Sequence, residues 1–509
     1  MSNASKLNEL IKRRADIETG GGDWAKSKVH SLGQLTARER IEQLLDENSF
    51  VEIGVFVTHR ATDFNMNQQK TPTDGVVTGY GTLGGNLVYI YSQDVNILKG
   101  ALGEMHAKKI CNLYNLALKI GAPIIGLVDS AGLRLQESTD ALQGFGELFV
   151  KQSLASGIIP QIIAILGNCG GGASMIPSLA DFTFMTSKNA RLYVNSPNAL
   201  DSKAASFDTV ASAKFHSEES GMVDFVFDNE EDLLNGIRKI IELLPENNVD
   251  DTPSVDTTDD LNRIDTELND MDISNGINSR EIINKIADNN DFFEVKKNYA
   301  ETMVTGLLRL NGNTVGVVAN YTLDNDGTLT SEACIKAVRF IRICDAFNIP
   351  ILTLTDVTGF YASIKEEQKS LGKMVSKMLF AFTNATVPKV NVIVGRGYGS
   401  AYIAMNSKHI GADSVYAWPN ARIGMMEASS AVKIMYADDI KESDNSEALI
   451  SERSAEFEDL QSSPYAAASH GYIDDIIEPA ATRKRVIAAF EMLFSKTEER
   501  PDKKHDTIL

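Results

Sequence analysis

Residues 157–175 read GIIPQIIAILGNCGGGASM, an apolar strand-like run that ends in three consecutive glycines. Residues 385–405, ATVPKVNVIVGRGYGSAYIAM, repeat this plan with a second turn of small residues. In both segments a proline lies seven positions before the first glycine after the apolar run, Gly167 and Gly395. One glycine is enough for an ordinary turn, so bare main chain at both places indicates close approach of another group. We therefore expect two copies of one strand and one turn.

The repeat extends upstream of these two segments. GGNLVYIYSQD (84–94) and APIIGLVDSAG (122–132) in the first half correspond to NGNTVGVVANY (311–321) and IPILTLTDVTG (349–359) in the second, with equal spacing. Solenoid repeats have periods of about 20–50 residues, and these matches are separated by far more than that. The matches therefore indicate duplication of a whole domain.

Each copy alternates between strand-like and helical patterns. ICNLYNLALKI has apolar residues at helical spacing, whereas PIIGLV and PILTLT are short runs typical of buried strands. Strands that alternate with helices predict an α/β fold with a parallel sheet covered by helices. We predict an N-terminal domain at 1–245, an acidic linker at 246–280 and a C-terminal domain at 281–509, with an N-terminal helix that includes 36–47 and a C-terminal helix at 482–494.

Composition narrows the classes of function. The 509 residues carry a formal net charge of −20, which argues against a nucleic-acid surface, because phosphate contacts need clustered Lys and Arg. The four cysteines form no C-x-x-C pair, so we expect neither a zinc site nor a disulfide framework. The sequence contains no apolar run of about 18 residues and no signal-peptide core. We predict a cytoplasmic protein without a metal, and docking on a membrane complex stays open.

The glycine-rich turns match neither the G-x-G-x-x-G dinucleotide pattern nor the P-loop. Residues 170–172 and 399–401 combine small side chains with the expected start of a helix, whose first N–H groups lack partners within the helix. Such amides suit an oxyanion that forms during a reaction, for example the enolate of a thioester. The alternative is structural, since glycine also lets a helix and a strand pack closely.

Over nearly its whole length the chain resembles the carboxyltransferase subunits of biotin-dependent acyl-CoA carboxylases and decarboxylases. The resemblance implies two tandem crotonase-like (ββα-superhelix) domains. The segments that carry it include LTARERIEQLLDENSFVEIG (35–54), DGVVTGYGTLGGNLVYIYSQD (74–94), IGAPIIGLVDSAGLRLQES (120–138), ASGIIPQI (155–162), VRFIRICDAFNIPILTLTDVTGF (338–360), ATVPKVNVIV (385–394), GADSVYAWP (411–419) and GYIDDIIEP (471–479).

The resemblance implies one oxyanion hole in each domain, at Gly171 and Gly172 in the first and at Ser400 and Ala401 in the second. One hole would hold a thioester enolate and the other the deprotonated ureido group of biotin. In the family, the CoA ester lies on the N-terminal domain of one subunit and biotin approaches the C-terminal domain of another, usually within a hexamer. Ser400 replaces a glycine that is usual in the family, and it keeps a usable N–H if its φ suits an L-residue.

Four further residues are candidates for substrate binding. Ala131, Gly132 and Arg134 belong to the loop DSAGLRLQES and would shape the CoA pocket, although a surface ion pair is an equal alternative for Arg134. Ile403 would line the acyl pocket, with core packing as its alternative.

Asp129 and Asp356 end equivalent strands and resemble an acid/base pair. We favour the interpretation that both are polar strand ends held by local amides. His106, His216 and His409 have no metal-ligand spacing and are interpreted as structural.

The predicted function is transfer of a carboxyl group between biotin, carried on a separate protein, and the α-carbon of a short-chain acyl-CoA. A biotin carboxyl carrier, together with a biotin carboxylase or membrane decarboxylase subunits, would be the partners of a homo-hexamer arranged as a trimer of dimers. Three alternatives stay open: a subunit of a sodium-pumping methylmalonyl-CoA decarboxylase, a biotin-independent crotonase-type enzyme, and an inactive scaffold. The acyl chain, the direction of reaction, the identity of the carrier and the geometry of residues 360–379 are left undetermined.

Overall fold

The computed structural model describes residues 3–273, 275–323, 326–504 and 507–508. The chain divides into two compact units, Met1–Asp250 and Asp251–Leu509. Each unit is built on an eight-stranded mixed β-sheet with helices packed against it, and the second unit has an additional two-stranded sheet.

The described elements of the first unit follow the order expected from the sequence. Its strands are β1 (Val51–Ile53), β2 (Val76–Leu83), β3 (Asn86–Gln93), β4 (Ile124–Ser130), β5 (Gln161–Gly170), β6 (Phe182–Thr186), β7 (Arg191–Tyr193) and β8 (Phe225–Phe227). Its helices are α1 (Asn3–Glu18), α2 (Asp23–Ser31), α3 (Ala37–Leu44), α4 (Glu104–Ile120), α5 (Ser138–Ala155), α6 (Met175–Ser178), α7 (Phe207–Val210), α8 (Ala213–Glu218) and α9 (Glu230–Leu243).

The second unit repeats this plan within its described residues. Its strands are β9 (Phe292–Val295), β10 (Met303–Leu310), β11 (Asn313–Asn320), β12 (Thr328–Leu329), β13 (Ile351–Val357), β14 (Gly359–Phe360), β15 (Lys389–Tyr398), β16 (Ser414–Ala417), β17 (Arg422–Gly424) and β18 (Asp475–Ile476). Its helices are α10 (Ser279–Ile286), α11 (Ser331–Ala346), α12 (Ile364–Gln368), α13 (Leu371–Asn384), α14 (Gly399–Ala404), α15 (Ala428–Met435), α16 (Ala437–Glu442), α17 (Ser446–Phe457), α18 (Pro464–Ser469) and α19 (Thr482–Met492).

The two sheets have the same topology, which confirms the predicted α/β fold with an internal duplication. The first has strand order β1-β2-β3-β4-β5-β6-β8, and the second has order β9-β10-β11-β13-β15-β16-β18. The first three strands of each order pair antiparallel and the others pair parallel. The end of β5 also pairs with β7, and the end of β15 with β17. In each sheet the carboxyl ends of the parallel strands lie at one edge, and the glycine-rich turn of that unit leaves from this edge.

The crossover helix α4 shows how the sequence pattern becomes packing. Its buried residues recur every three or four positions, so one face of the helix lies against the sheet. Gly121 ends the helix with a φ of 77°, a left-handed conformation that glycine adopts without strain. Thr36 and Glu39 form a capping box that starts α3, inside the helix predicted at 36–47.

Residues 251–280 precede or begin α10 in the second unit. Leu268 and Ile277 are buried there in a core formed with strands of the same unit. The boundary between the compact units falls between Asp250 and Asp251. The functional division into domains at 1–245 and 281–509 with a linker at 246–280 stays a prediction.

Two buried lysines occupy equivalent positions in the duplicated crossover helices. Lys109 on α4 donates hydrogen bonds to the main-chain carbonyls of Thr73 and Val76. Lys336 on α11 likewise donates to two main-chain carbonyls, at 2.8 and 2.7 Å. Burial lowers the pKa of each ammonium group to about 7, because a low-dielectric interior disfavours the charged form.

We predict that Lys336 makes stability depend on alkaline pH. Its pKa in the folded state is about 7, below the ordinary value of 10.5, so between these pH values the unfolded chain binds more protons than the folded chain. The contribution of Lys336 to the free energy of unfolding therefore rises with pH over that interval. The Tm of the unaltered protein should increase relative to that of a Lys336→Met variant as the pH rises from 7 to 10 in differential scanning calorimetry. The same substitution at an exposed lysine, Lys373→Met, serves as the control. A Tm difference for Lys336→Met that stays constant with pH would contradict this account.

Candidate functional site

Both turns place a glycine in the left-handed region directly after equivalent strands, β5 and β15. Gly171 follows β5 with a φ of 62° and Gly399 follows β15 with a φ of 59°. Gly171 begins a short 3-10 turn that leads into α6, and Gly399 begins α14. The two glycines are structurally equivalent, so Gly172 corresponds to Ser400 and Ala173 to Ala401.

The amides at the start of both turns have no side-chain cap. Gly172 and Ser400 are exposed, and Ser400 has no positive φ. Its substitution for glycine is therefore accommodated, because the left-handed position is occupied by Gly399. The assignments of Gly171, Gly172, Ser400 and Ala401 to oxyanion holes stay predictions. The structural equivalence shows that the two assigned pairs are offset by one residue.

The residue paired with Gly170 explains why position 170 is a glycine. Gly170 lies opposite Tyr193 in the pairing of β5 with β7, whereas Tyr398 lies opposite Gly424 in the pairing of β15 with β17. A Cβ atom at Gly170 would be 2.6 Å from the ring of Tyr193. Each unit thus has one tyrosine and one glycine at this pair, on opposite strands.

The predicted substrate-binding loop adjoins the first turn. Ala131 is exposed, and Gly132 has a φ of 96°. A Cβ atom at Gly132 would lie 3.0 Å from the carbonyl oxygen of Gly170, so a larger residue would crowd the end of β5. The structure therefore brings Ala131 and Gly132 to the first turn, while their contact with a substrate stays a prediction.

Arg134 is buried beneath this loop. Its Nη1 lies 2.8 Å from Asp74 Oδ1 and 2.7 Å from Glu137 Oε1, and its Nη2 donates to the carbonyl of Ala101 at 2.8 Å. The ion-pair alternative thus describes its contacts, although the pair lies in the interior and not on the surface. The role of Arg134 in substrate binding stays a prediction. Ile403 is half-buried on α14, and its role in the acyl pocket stays a prediction.

The two strand-end aspartates make contacts of the kind expected for polar strand ends. Asp129 Oδ1 accepts the N–H of Asn168 at 3.2 Å, and Asp129 Oδ2 lies 3.6 Å from the Arg40 guanidinium. Asp356 Oδ1 accepts the N–H of Arg396 at 2.6 Å, and its carboxylate also accepts from the Arg396 guanidinium at 2.9 Å. Each carboxylate is therefore engaged by a main-chain amide and an arginine.

His106 is held as a neutral imidazole. Its Nδ1 lies 3.0 Å from the carbonyl oxygen of Asp74, which can only accept, so Nε2 is left to accept from the Gln93 amide at 3.1 Å. Burial, reinforced by Arg134, lowers the pKa of His106 well below its ordinary value. Over the residues that the structure describes, no group of three or more His, Cys, Asp and Glu side chains is placed to hold a metal ion.

Sequence analysis did not identify Arg40 or Tyr193 as neighbours of the site. Arg40 on α3 is fully buried and pairs with Glu230 at 2.9 and 2.7 Å, which is a contact across 190 residues. Such contacts leave no periodic signal in the sequence. The glycines do leave a signal in the sequence, because Gly167 and Gly395 occupy equal positions in the repeat. Each of them faces an aspartate in the structure.

The chain is similar in sequence to known proteins over nearly its whole length. Residues 28–508 match the model of the carboxyl transferase domain. The propionyl-CoA carboxylase beta chain of Roseobacter denitrificans is 42% identical over 508 residues, covering 99% of each chain. Methylmalonyl-CoA decarboxylase subunit alpha of Propionigenium modestum is 41% identical over 511 residues, again with 99% of each chain covered.

A solved structure of transcarboxylase 12S, with methylmalonyl-coenzyme A and methylmalonic acid bound, matches the fold with a TM-score of 0.97. That chain is 38% identical, and the match covers 100% of this chain and 98% of the other. In the described part of the chain, no helix has the length and apolar character needed to cross a membrane.

We predict that Gly170 and Tyr193 are energetically coupled. A Gly170→Ala substitution puts a methyl group 2.6 Å from the ring of Tyr193, and overpacking of this kind costs about 1–3 kcal/mol. Gly170→Ala should lower the Tm of the unaltered protein. It should lower the Tm much less when it is introduced into the Tyr193→Ala variant. Gly172→Ala is the control, because its Cβ would meet only the Phe145 ring at 3.8 Å. Equal losses of Tm in both backgrounds would contradict the coupling.

Proposed function

The chain belongs to the carboxyl transferase family, and we propose that it moves a carboxyl group between carrier-bound biotin and the α-carbon of a short-chain acyl-CoA. The observation that supports this most directly is the pair of equivalent turns with uncapped amides, one in each duplicated unit. The reaction develops negative charge at two sites, the thioester oxygen and the ureido oxygen, so two such turns match its requirement.

The first turn would hold the thioester oxygen. Gly171 and Gly172 are the residues assigned to this role; if Ser400 and Ala401 are the donors of the second turn, the equivalence of the turns points instead to the amides of Gly172 and Ala173, with Gly171 supplying the left-handed residue that orients them. The exposed main chain at Gly172 allows the thioester to approach closely. Removal of one donor from an oxyanion hole typically costs about 10²–10³ in rate, so these contacts would supply much of the catalysis.

The second turn would hold the ureido oxygen through the amides of Ser400 and Ala401. The uncapped amides and exposed Ser400 suit a planar cyclic urea, whose oxygen is a hydrogen-bond acceptor. Biotin supplies the carboxyl group and, once this has left, a basic ureido nitrogen. The chain would then orient that nitrogen toward the acyl α-carbon, so no side-chain base is needed.

The substrate and the assembly follow by comparison with the relatives. Subunits of propionyl-CoA carboxylase and methylmalonyl-CoA decarboxylase have nearly the same sequence identity to this chain, 42% and 41%. This supports a propionyl-CoA/methylmalonyl-CoA substrate and leaves both carboxylation and decarboxylation as candidate directions. The transcarboxylase 12S structure is a hexamer with a bound CoA ester. We propose the same hexamer here, located in the cytoplasm, with the two turns of one active site contributed by different subunits and biotin delivered by a carrier protein.

A substrate panel tests the function with the purified protein and free biotin. We expect decarboxylation of methylmalonyl-CoA that depends on biotin, weaker turnover of malonyl-, ethylmalonyl- and glutaconyl-CoA, and no hydration of crotonyl-CoA. Hydration of crotonyl-CoA without biotin would instead indicate a crotonase-type hydratase. Reconstitution with a biotin carboxylase and carrier, or with membrane decarboxylase subunits, then distinguishes the physiological direction.

We predict that Gly172→Leu abolishes this turnover while the oligomer persists. The glycine is exposed and a Cβ atom there has room, so the side chain would obstruct the thioester without disturbing the core. We expect kcat to fall by about 10²-fold or more, the loss typical of an impaired oxyanion hole.

The matched control is Gly146→Leu, at an exposed glycine of α5 where a Cβ meets no atom within 4 Å. Size-exclusion chromatography checks the oligomer in both variants. Full activity of Gly172→Leu would refute the placement of the first oxyanion hole.

A further inference from the structure

We propose that Asp129 and Asp356 are positioning residues, each of which sets the course of the strand that leads into one of the two turns. The inference rests on the proposed function. It gives the two aspartates a shared role through the main chain, in place of a role in proton transfer.

In the first unit, Asp129 lies at an irregularity in the pairing of β4 with β5, where the register shifts between Val128 and Ser130. Its own N–H donates to Gln93 Oε1 at 3.2 Å, and its Oδ1 accepts the N–H of Asn168 at 3.2 Å. Asp129 thus links the ends of three adjacent strands, because its N–H reaches β3 and its carboxylate reaches from β4 to β5.

The second unit reproduces this arrangement. Asp356 lies where the register of β13 with β15 shifts between Thr355 and Val357. Its N–H donates to Asn320 Oδ1 at 3.2 Å, and its Oδ1 accepts the N–H of Arg396 at 2.6 Å. Asn320 ends β11 as Gln93 ends β3. The same three-strand link is therefore present in both copies.

Glycine at the facing position makes these contacts possible. A Cβ atom at Gly167 would lie 2.0 Å from Asp129 Oδ1, and one at Gly395 would lie 2.5 Å from Asp356 Oδ1. Both distances are far below van der Waals contact, so any side chain would expel the carboxylate. This explains why glycine occurs at the same place in both copies.

The held amide lies three residues before the left-handed glycine: Asn168 before Gly171, and Arg396 before Gly399. A hydrogen bond to this amide limits rotation and translation of the strand end, and thereby the position of the turn amides. Catalytic hydrogen bonds require such precision, since a displacement of about 1 Å can cost 10²-fold in rate.

An arginine lies beside each carboxylate, but it comes from a different element in each unit. Asp129 faces Arg40 of α3 at 3.6 Å, and the buried Arg40 pairs more closely with Glu230. Asp356 pairs with Arg396 on the strand itself, and that side chain is 28% exposed. Replacement of either aspartate therefore leaves no arginine as a buried, uncompensated charge, because Arg40 keeps Glu230 and Arg396 reaches solvent.

The test replaces each aspartate and measures biotin-dependent decarboxylation of methylmalonyl-CoA by the full-length oligomer. Asp129→Asn and Asp356→Asn keep the shape but weaken the contacts, so kcat should fall about tenfold, and about a hundredfold in the alanine variants, which is the range expected for a misplaced catalytic group. The KM values for methylmalonyl-CoA and free biotin should change less than threefold.

Asp181, just before β6, and Asp413, just before β16, provide matched controls because they hold β5 and β15 by their first residues. Asp181 accepts the N–H of Gln161 at 2.8 Å and Asp413 that of Lys389 at 2.8 Å, at the opposite ends of β5 and β15. Their asparagine variants should lower the Tm with kcat unchanged within twofold. If these variants lost kcat as much as the others, the effect would be general destabilisation, and the positioning role would be wrong.

Two further outcomes separate this inference from the proposed function. An unaltered protein without turnover on any substrate of the panel would contradict the proposed function, and with it the positioning role. Turnover by the unaltered protein that Asp129→Asn and Asp356→Asn retain in full would contradict the positioning role alone. If an aspartate variant failed to fold, Asn320→Ala, which removes the acceptor for the Asp356 N–H, should still lower kcat at unchanged KM; normal kcat there would overturn the proposal.

Discussion

The candidate site depends on a strand that turns within one residue and leaves its next amides without partners. Gly171 and Gly399 achieve this with positive φ values of 62° and 59°. A side chain at such a position is strained, whereas glycine adopts it freely. The adjacent residues then keep ordinary φ values, which is why Ser400 can replace a glycine while its N–H stays available.

Around this turn, the duplicated units preserve geometry more strictly than residue identity. A tyrosine and a glycine face each other beside both turns, yet their strands are exchanged: Gly170 with Tyr193 and Tyr398 with Gly424. The arginine beside the strand-end aspartate also comes from a different element in each unit. Packing constrains the space to be filled and the charge to be balanced, and either strand or either element can supply the group.

This conservation of geometry bears on how one fold could serve two different anions. In the proposed reaction one turn binds an acyclic thioester and the other a cyclic urea, so the pockets must differ while the amide donors stay alike. The surroundings do differ: Arg396 is partly exposed beside the second turn, whereas its counterpart in the first unit is Asn168. In that reaction the main chain would provide the common chemistry and the side chains would provide the selectivity.

The sequence by itself determined the α/β alternation, the duplication and the location of both turns, because periodicity and repeat spacing can be read directly from the order of the residues. Residue-by-residue resemblance then identified the family. Only the tertiary structure decided that Arg134 is buried with Asp74 and Glu137 and that Arg40 reaches Asp129. These contacts join residues that are distant in sequence, so they depend on strand register and on how helices pack against the sheet, which no local pattern records.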